Sequence, residues 1–319
     1  MFHPHRRTIL IAAAASIIAA PVFAAYPDRP IKLVVPYGGG GMGSAFGAMV
    51  AEVLAAELKG QAYADYKPGA NAAIGTELVA KAPPDGYTLL MATTSSMAIN
   101  PAFYPELKYD PVKDFTPVGI VWISRNVLYA SKAKTVKELV EMGKKKPLTY
   151  GSAGAGTLAH LSSEMLVRDA GIKAVHLPFK GQGAVMTEVA SGRLDFAFTD
   201  PTGMGMATSG RVNALAVTGK DRMKSAPNVP TMAEAGYPNV GTASWIAIFA
   251  PANTPKDVVE KISNALSKGF SSAAMKTKVA ATGAEVAPDM SPQTLDKELK
   301  VELARWKKFQ QDTKMTIGQ

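Results

Sequence analysis

The feature that most constrains the fold is a regular alternation of short apolar runs with helical patterns, which begins at residue 31 and continues along the chain. Short apolar runs bounded by glycine or proline indicate buried strands, and the segments between them carry helical spacing. This alternation is typical of α/β folds with parallel sheets. The predicted strands are 31–35, 88–92, 148–151, 174–177 and 194–199, and the predicted helices are 45–58, 158–170 and 187–191.

The C-terminal part of the chain carries signals for two long helices. Thr254-Pro255 and Ser291-Pro292 each provide an N-cap residue followed by a proline, which is favoured in the first turn of a helix. The second helix carries Leu295, Leu299, Leu303 and Trp306 on one face, and this stripe predicts that the helix docks on a sheet. Two helices are therefore expected to close the chain.

The N-terminus has the pattern of an export signal. Arg6 and Arg7 precede an apolar run over 9–20, and small residues around Ala24 suit a cleavage site. We expect residues 1–24 to be removed and the protein to be periplasmic, by the Sec or the twin-arginine route. The apolar run is too short to span a bilayer, so a soluble mature protein is expected.

Composition then limits the classes of function. Beyond residue 24 there are 33 Lys+Arg against 26 Asp+Glu, and the densest basic run, 144–146, lies where a predicted helix ends. No nucleic-acid footprint is present, so we expect no nucleic-acid partner. The chain has no cysteine, so it has no disulfide framework and no lipoprotein anchor. About 295 residues that are 47% hydrophobic suit two lobes.

The first glycine-rich turn, over 36–44, joins a predicted strand to a predicted helix. Free N–H groups and the helix dipole favour an anion at such a turn, a carboxylate or a phosphate. Two nucleotide-binding patterns also match in part, but both matches are weak. The dinucleotide fingerprint lacks its acid about 20 residues on, where Leu58 stands, and the phosphate-binding loop lacks its lysine, where Gly43 stands.

A second glycine-rich turn, over 151–157, also lies between a predicted strand and a predicted helix. Its small residues let a ligand approach the backbone, although glycines at such a place also serve simply as turn residues. Neither turn contains Lys or Arg, so a bound anion would be held by N–H groups and the hydroxyls of Ser44, Ser152 and Thr157. Such a site releases its ligand readily.

Catalysis has few candidate residues. Beyond the export signal the only histidines are His160 and His176, which excludes most zinc sites. Ser152 precedes His160 by eight residues, but Tyr150 stands where the nucleophile elbow needs a glycine. We therefore expect His160 to pack within its helix, and we predict no catalytic residue, no metal and no cofactor.

Six segments together resemble one family, the Bug-type or TctC-type periplasmic receptors of tripartite tricarboxylate transporters. The resemblance spans nearly the whole chain beyond residue 25. The segments are YPDRPIKLVVP at 26–36, APPDGYTLL at 82–90, NPAFYP at 100–105, YDPVKDFTPV at 109–118, LPFKG at 177–181 and VPTMAEAGYP at 229–238.

The resemblance implies a periplasmic-binding-protein fold of the Venus-flytrap type II kind, with two α/β lobes, two hinge crossovers and the ligand in the cleft. Lobe one would comprise residues 25–123 plus 245–319, and lobe two residues 124–244. Implied ligand contacts, each of which could instead be a cap or turn residue, are Tyr37, Gly39, Gly40, Gly41, Ser44, Thr93, Thr94, Ser95, Ser152, Gly154, Gly156, Thr157, His160 and Asp200.

The chain departs from the family pattern in the first turn, where Ser44 occupies an acidic position, and at Asn71-Ala72-Ala73, where the usual double glycine is altered. The identity of the ligand therefore does not transfer. A lost acid with a retained Asp200 suits an anion that also carries a polar or amino group, provided that Asp200 faces the cleft.

The resemblance implies a monomeric receptor that binds a small organic carboxylate, closes around it and docks on the membrane permease subunits of a tripartite transporter. One alternative is an exported hydrolase that uses Ser152 and His160, which would require an orienting acid beside His160. The other is a ligand sensor that hands its closed state to a signalling partner.

Overall fold

The computed structural model describes residues 26–38, 42–241 and 243–317, but not the side chains of Met42 and Ser44. The expected export signal at residues 1–24 lies outside these ranges, as do Gly39, Gly40 and Gly41. The described chain forms two mixed sheets flanked by helices, which is a two-lobed α/β fold.

The first sheet has the order β11-β4-β10-β3-β1-β2. Its strands are β1 (Ile31–Val35), β2 (Ala62–Tyr66), β3 (Thr88–Thr93), β4 (Phe115–Ser124), β10 (Ser244–Pro251) and β11 (Glu285–Val286). β1 runs parallel to β2 and β3, whereas β10 runs antiparallel to β3 and β4.

The second sheet has the order β7-β6-β8-β5-β9. Its strands are β5 (Val127–Ala130), β6 (Leu148–Ser152), β7 (Ala174–Pro178), β8 (Phe196–Thr199) and β9 (Asn213–Val217). β6 is parallel to β7 and β8, whereas β5 is antiparallel to β8 and β9. The expectation of parallel sheets is thus correct for β1 to β3 and β6 to β8, but not for β5, β10 and β11, which pair antiparallel. β5 and β10 are the strands that follow the two crossings between the sheets.

Ten α-helices lie in the described chain. They are α1 (Met42–Glu57), α2 (Ala73–Ala80), α3 (Asn100–Phe103), α4 (Val136–Lys145), α5 (Leu158–Asp169), α6 (Gln182–Ala190), α7 (Met204–Thr208), α8 (Lys256–Ser271), α9 (Ala273–Ala280) and α10 (Pro292–Thr313). α6 begins five residues before its predicted start. None of the helices in the described ranges is long and apolar enough to cross a membrane.

Three helices, rather than the predicted two, lie in the C-terminal part. Ser272 ends α8 in an extended conformation, and its hydroxyl accepts a hydrogen bond from the Met275 N–H, which starts α9. The predicted stripe on α10 is buried, because Leu295 and Leu299 join the core of the first sheet and Trp306 joins the core of the second. α10 therefore packs against both lobes.

The chain crosses between the sheets twice, after β4 and before β10. At the crossings the Asn126 N–H donates to the Thr218 hydroxyl at 2.9 Å, and the Thr218 N–H donates to the Asn126 carbonyl at 2.8 Å. These two bonds hold the crossing segments together. The predicted lobe boundaries, at 123/124 and 244/245, fall at the end of β4 and the start of β10.

Candidate ligand-binding cleft

A cleft of about 790 Å³ lies between the two sheets and is lined from both. On the first sheet its walls come from the segments that follow β1, β2 and β3, and on the second from those that follow β6, β7 and β8. Ligands in α/β proteins bind beyond the carboxyl ends of the strands, and the volume is in the range of small-molecule sites. The cleft is therefore the candidate binding site.

Tyr37, directly after β1 and Pro36, forms part of the wall on the first sheet. Its hydroxyl shares a hydrogen bond of 2.6 Å with Thr93 at the end of β3, and burial raises the pKa of Tyr37, so its phenol is neutral. The hydroxyl of Ser96 accepts a bond from the Thr93 N–H and donates to the Thr93 carbonyl. These contacts fix the end of β3, where Thr93 and Ser95 line the cleft.

The segment before α2 approaches the cleft in an unusual conformation. Ala70, Asn71 and Ala72 have φ values of 46°, 48° and 74°, in the left-handed region that favours glycine. The Asn71 amide donates to the Asn100 side-chain oxygen at 2.8 Å, and the Asn100 amide donates to the Asn71 carbonyl at 2.8 Å. This pair of bonds holds the strained segment, so that Asn71 and Ala72 line the cleft.

The second glycine turn separates into residues that face the cleft and residues that lie behind it. Thr157 caps α5, accepting the His160 N–H and donating to the Gly154 carbonyl at 2.9 Å, and it lines the cleft together with Leu158. Gly156 lies behind, where a Cβ atom would come within 2.9 Å of the Tyr104 hydroxyl.

A buried polar cluster lies beneath this turn. The hydroxyl of Ser152 is 2.7 Å from His176 Nε2, and the Gly156 N–H donates to His160 Nδ1 at 3.2 Å. The two imidazole centroids are 4.2 Å apart. Burial lowers the pKa of His160 to about 4, and burial together with His160 lowers that of His176 to about 4. Both rings are therefore neutral at pH 7.

This cluster differs from the dyad that a hydrolase would need. Ser152 pairs with His176 instead of His160, is fully buried and does not line the cleft. An acid, Glu164, lies 4.0 Å from His160 Nε2, but its other contact is a hydrogen bond from the Tyr150 hydroxyl. The arrangement satisfies buried polar groups and holds the turn in place.

The structure places some of the predicted site residues in the cleft and others outside it. Those that line the cleft are Tyr37, Thr93, Ser95, Thr157 and Asp200. Those that lie elsewhere are Thr94, which accepts the Trp245 N–H, and Ser152, Gly154, Gly156 and His160. Gly39, Gly40, Gly41 and the Ser44 side chain lie outside the described set. A contact of any of these residues with a ligand stays a prediction.

Sequence reasoning missed several residues that the structure brings to the cleft. Lys180 and Gln182 follow β7, and Gln182 accepts the Asp200 N–H at 2.5 Å. Ser124, Asn126 and Ser244 come from the two crossings. Lys180 could have been found from the sequence, because a strand, a Lys-Gly turn and a helix follow one another there. The crossing residues had none, because only long-range strand pairing brings them together.

The sequence model of the tripartite tricarboxylate transporter family receptor, TctC, matches residues 48–315. A "UPF0065 protein in tcbD-tcbE intergenic region" of Pseudomonas sp. (strain P51) is 31% identical over 318 residues, which cover 98% of this chain and 94% of that protein. The protein BugT of Bordetella pertussis is 31% identical over 275 residues, covering 84% of each chain.

Three solved structures are also similar to this chain. R. palustris Rpa4515 with adipate is similar at a TM-score of 0.81 and 31% identity, covering 90% of this chain and 97% of that one. The periplasmic binding protein BugD has a TM-score of 0.80 at 31% identity, covering 90% and 98%. MatC from Rhodopseudomonas palustris with bound malate has a TM-score of 0.77 at 26% identity, covering 89% and 99%.

Proposed function

The chain belongs to the tripartite tricarboxylate transporter receptor family of periplasmic solute-binding proteins, and from this premise we propose that it captures a small organic carboxylate in the cleft and delivers it to a transporter permease. The observation that carries the proposal is the lining of the cleft. Hydroxyls and backbone groups from both lobes converge there, and Lys180 adds a cation that no salt bridge engages in the described chain.

Lys180 changes the expected chemistry of the site. The two glycine turns alone would hold an anion by N–H groups and hydroxyls, but an exposed ammonium at the same cleft adds a charge-assisted bond to a ligand carboxylate. Adipate and malate in the similar structures are both carboxylates, which supports this class for the present chain.

Closure of the two lobes is the proposed mechanism. Tyr37 and Thr93 contribute to one wall and Thr157 and Lys180 to the other, so a ligand that bridges them binds the closed form better than the open form. Such differential affinity is what shifts a two-state equilibrium. The crossings at Asn126 and Thr218 are the proposed hinge, and the closed form is the one that docks on the permease.

We propose binding without catalysis, because Ser152 is buried and its partner His176 lies behind the turn. We also propose that the exported protein begins near Ala25 and works as a monomer. Mass spectrometry of the periplasmic protein and light scattering test these two points. A mature N-terminus that retains residues 1–24, or a stable dimer, would contradict them.

The experiment for the proposed function is a thermal-shift and calorimetric screen of the mature protein against mono-, di- and tricarboxylates, aromatic acids and amino acids. A ligand at 100 times its dissociation constant stabilises the protein by about 2.7 kcal/mol. Lys180→Ala should weaken the best acid about tenfold, roughly 1.4 kcal/mol. Lys173→Ala is the matched control, because Lys173 is exposed and does not line the cleft. No shift with any carboxylate would contradict the proposal.

A further inference from the structure

The floor of the cleft is built by residues that strand pairing places side by side. Ser124 at the end of β4 lies directly opposite Ser244 at the start of β10. Two residues further on, Asn126 precedes Val127, which pairs with Thr199 of β8. Extending that antiparallel register by one residue places Asn126 opposite Asp200. All four side chains line the cleft.

Three of these groups are buried and Ser244 is half-buried, yet all four have free hydrogen-bonding capacity. Ser124 is 6% exposed, Asn126 9% and Asp200 7%. Among the described residues, the Ser124 and Ser244 hydroxyls and the Asn126 side-chain amide form no hydrogen bond. Buried polar side chains in folded proteins nearly always have a partner. Because these groups line the cleft, a ligand bound there can supply their partners.

Asp200 is the acidic residue of this floor. Its Oδ1 accepts the N–H and the hydroxyl of Thr202, whereas Oδ2 has no partner within the described ranges. No lysine or arginine of the described chain forms a salt bridge with it. The neighbouring Arg125 lies outside the cleft lining, and its guanidinium is 3.3 Å from Glu285. The carboxylate thus lacks a compensating cation.

The two charged side chains of the cleft lining differ in exposure and in what they can donate or accept. Lys180 is exposed and offers only donors, whereas Asp200 is buried and, when ionised, offers only acceptors. A ligand carboxylate suits Lys180 and would be repelled by Asp200. A hydroxyl or an ammonium suits Asp200 and the oxygen of the Asn126 amide. The floor and the exposed lysine therefore suit two different groups of one molecule, a donor and a carboxylate.

We propose that the cleft selects acids that carry, besides the carboxylate, a hydrogen-bond-donating group, a hydroxyl or an ammonium, and that Asp200 and Asn126 receive this donor. The proposal rests on the proposed function and names the substrate class of the same cleft. It makes Asp200 and Asn126 residues that determine specificity, together with the Ser124 and Ser244 hydroxyls beside them.

The test is calorimetry of the mature protein with matched trios of acids that differ only in one substituent. Succinate, malate and aspartate form one trio; glutarate, 2-hydroxyglutarate and glutamate form a second; butyrate, 4-hydroxybutyrate and 4-aminobutyrate form a third. In the trio that binds, the hydroxy or amino acid should bind at least tenfold more tightly than the unsubstituted acid. Preference for the amino member identifies an ammonium as the donor, and preference for the hydroxy member identifies a hydroxyl.

Asp200→Asn should reduce this preference at least fivefold, and Asp169→Asn, which removes an exposed charge elsewhere in the same lobe, should leave it intact. Asn126→Ala is the second variant if Asp200→Asn does not fold. Unsubstituted acids that bind as tightly as their hydroxy and amino counterparts would overturn this inference and leave the proposed function standing. No binding by any carboxylate would overturn both.

Discussion

The buried histidine pair predicts a loss of stability when the pH falls from 7.5 to 5. His160 is 8% exposed, and its Nδ1 must be unprotonated to accept the Gly156 N–H. Protonation would place two donors face to face and put a charge 4.2 Å, centroid to centroid, from the ring of His176. The fold therefore favours the neutral imidazole.

The magnitude follows from linkage. In the folded protein the pKa of His160 is about 4, below its unfolded value of 6.5. Between these values the unfolded chain binds more protons than the folded one, so stability is full above pH 6.5 and is lost as the pH falls toward 4. From pH 7.5 to 5 the loss is about 2 kcal/mol for His160, and His176 acts in the same direction.

The assay is urea unfolding of the mature protein at both pH values, compared with His160→Asn. The asparagine side-chain oxygen can still accept the Gly156 N–H but does not titrate, whereas carboxylate titrations are common to both proteins. The pH-dependent loss in free energy of unfolding should be about 2 kcal/mol smaller in the variant. Identical losses in both proteins, or a His160 resonance that titrates near its ordinary pKa, would refute the reasoning.

Three substitutions test the packing. Ala72→Gly should raise the free energy of unfolding by about 1 kcal/mol, because Ala72 has a φ of 74°, in the left-handed region that glycine adopts more easily. Its control, Ala80→Gly at the end of α2, should lower stability. Thermal melts in which both variants lose stability would contradict this prediction. Gly119→Ala should lower the free energy of unfolding by about 3 kcal/mol, since its Cβ would lie 2.2 Å from the Met290 carbonyl oxygen. Its control, Gly205→Ala, has open space around the new Cβ and should leave stability nearly unchanged. Equal melting temperatures for the two variants would contradict this prediction. Ile317→Ala should lower the free energy of unfolding by about 2 to 3 kcal/mol, because Ile317 packs in the core of the second sheet. Its control, Val301→Ala, changes a side chain that is 47% exposed and should lower stability little. Similar denaturation midpoints for the two variants would contradict this prediction.

Local patterns predicted the parts of the structure that local physics determines. Thr157 precedes an apolar helix and does cap it, and the stripe of Leu295, Leu299 and Trp306 is buried on α10 as its spacing indicates. The parallel strands β1, β3, β6, β7 and β8 were also predicted from their apolar runs, whereas the half-exposed β2 was not.

The remainder depends on pairing between distant segments. Ser124 meets Ser244 only because β4 pairs with β10, and Ser152 meets His176 only because β6 pairs with β7. No local pattern contains these contacts, so sequence spacing suggested His160 as the partner of Ser152. Ser124, Asn126 and Ser244 of the cleft floor were missed for the same reason, whereas Asp200 was expected from the family resemblance.

The central claim, capture of a carboxylate between two closing lobes, is tested most directly by a distance measurement across the cleft. The chain has no cysteine, so Ile74→Cys on α2 and Thr187→Cys on α6 can be spin-labelled cleanly, since both sites are exposed on helices that begin beside the cleft. The carboxylate with the largest thermal shift should shorten this distance by several ångströms and leave the Tyr63→Cys to Ile74→Cys distance, within one lobe, unchanged. An unchanged distance across the cleft, at a concentration where calorimetry shows saturation, would contradict the account.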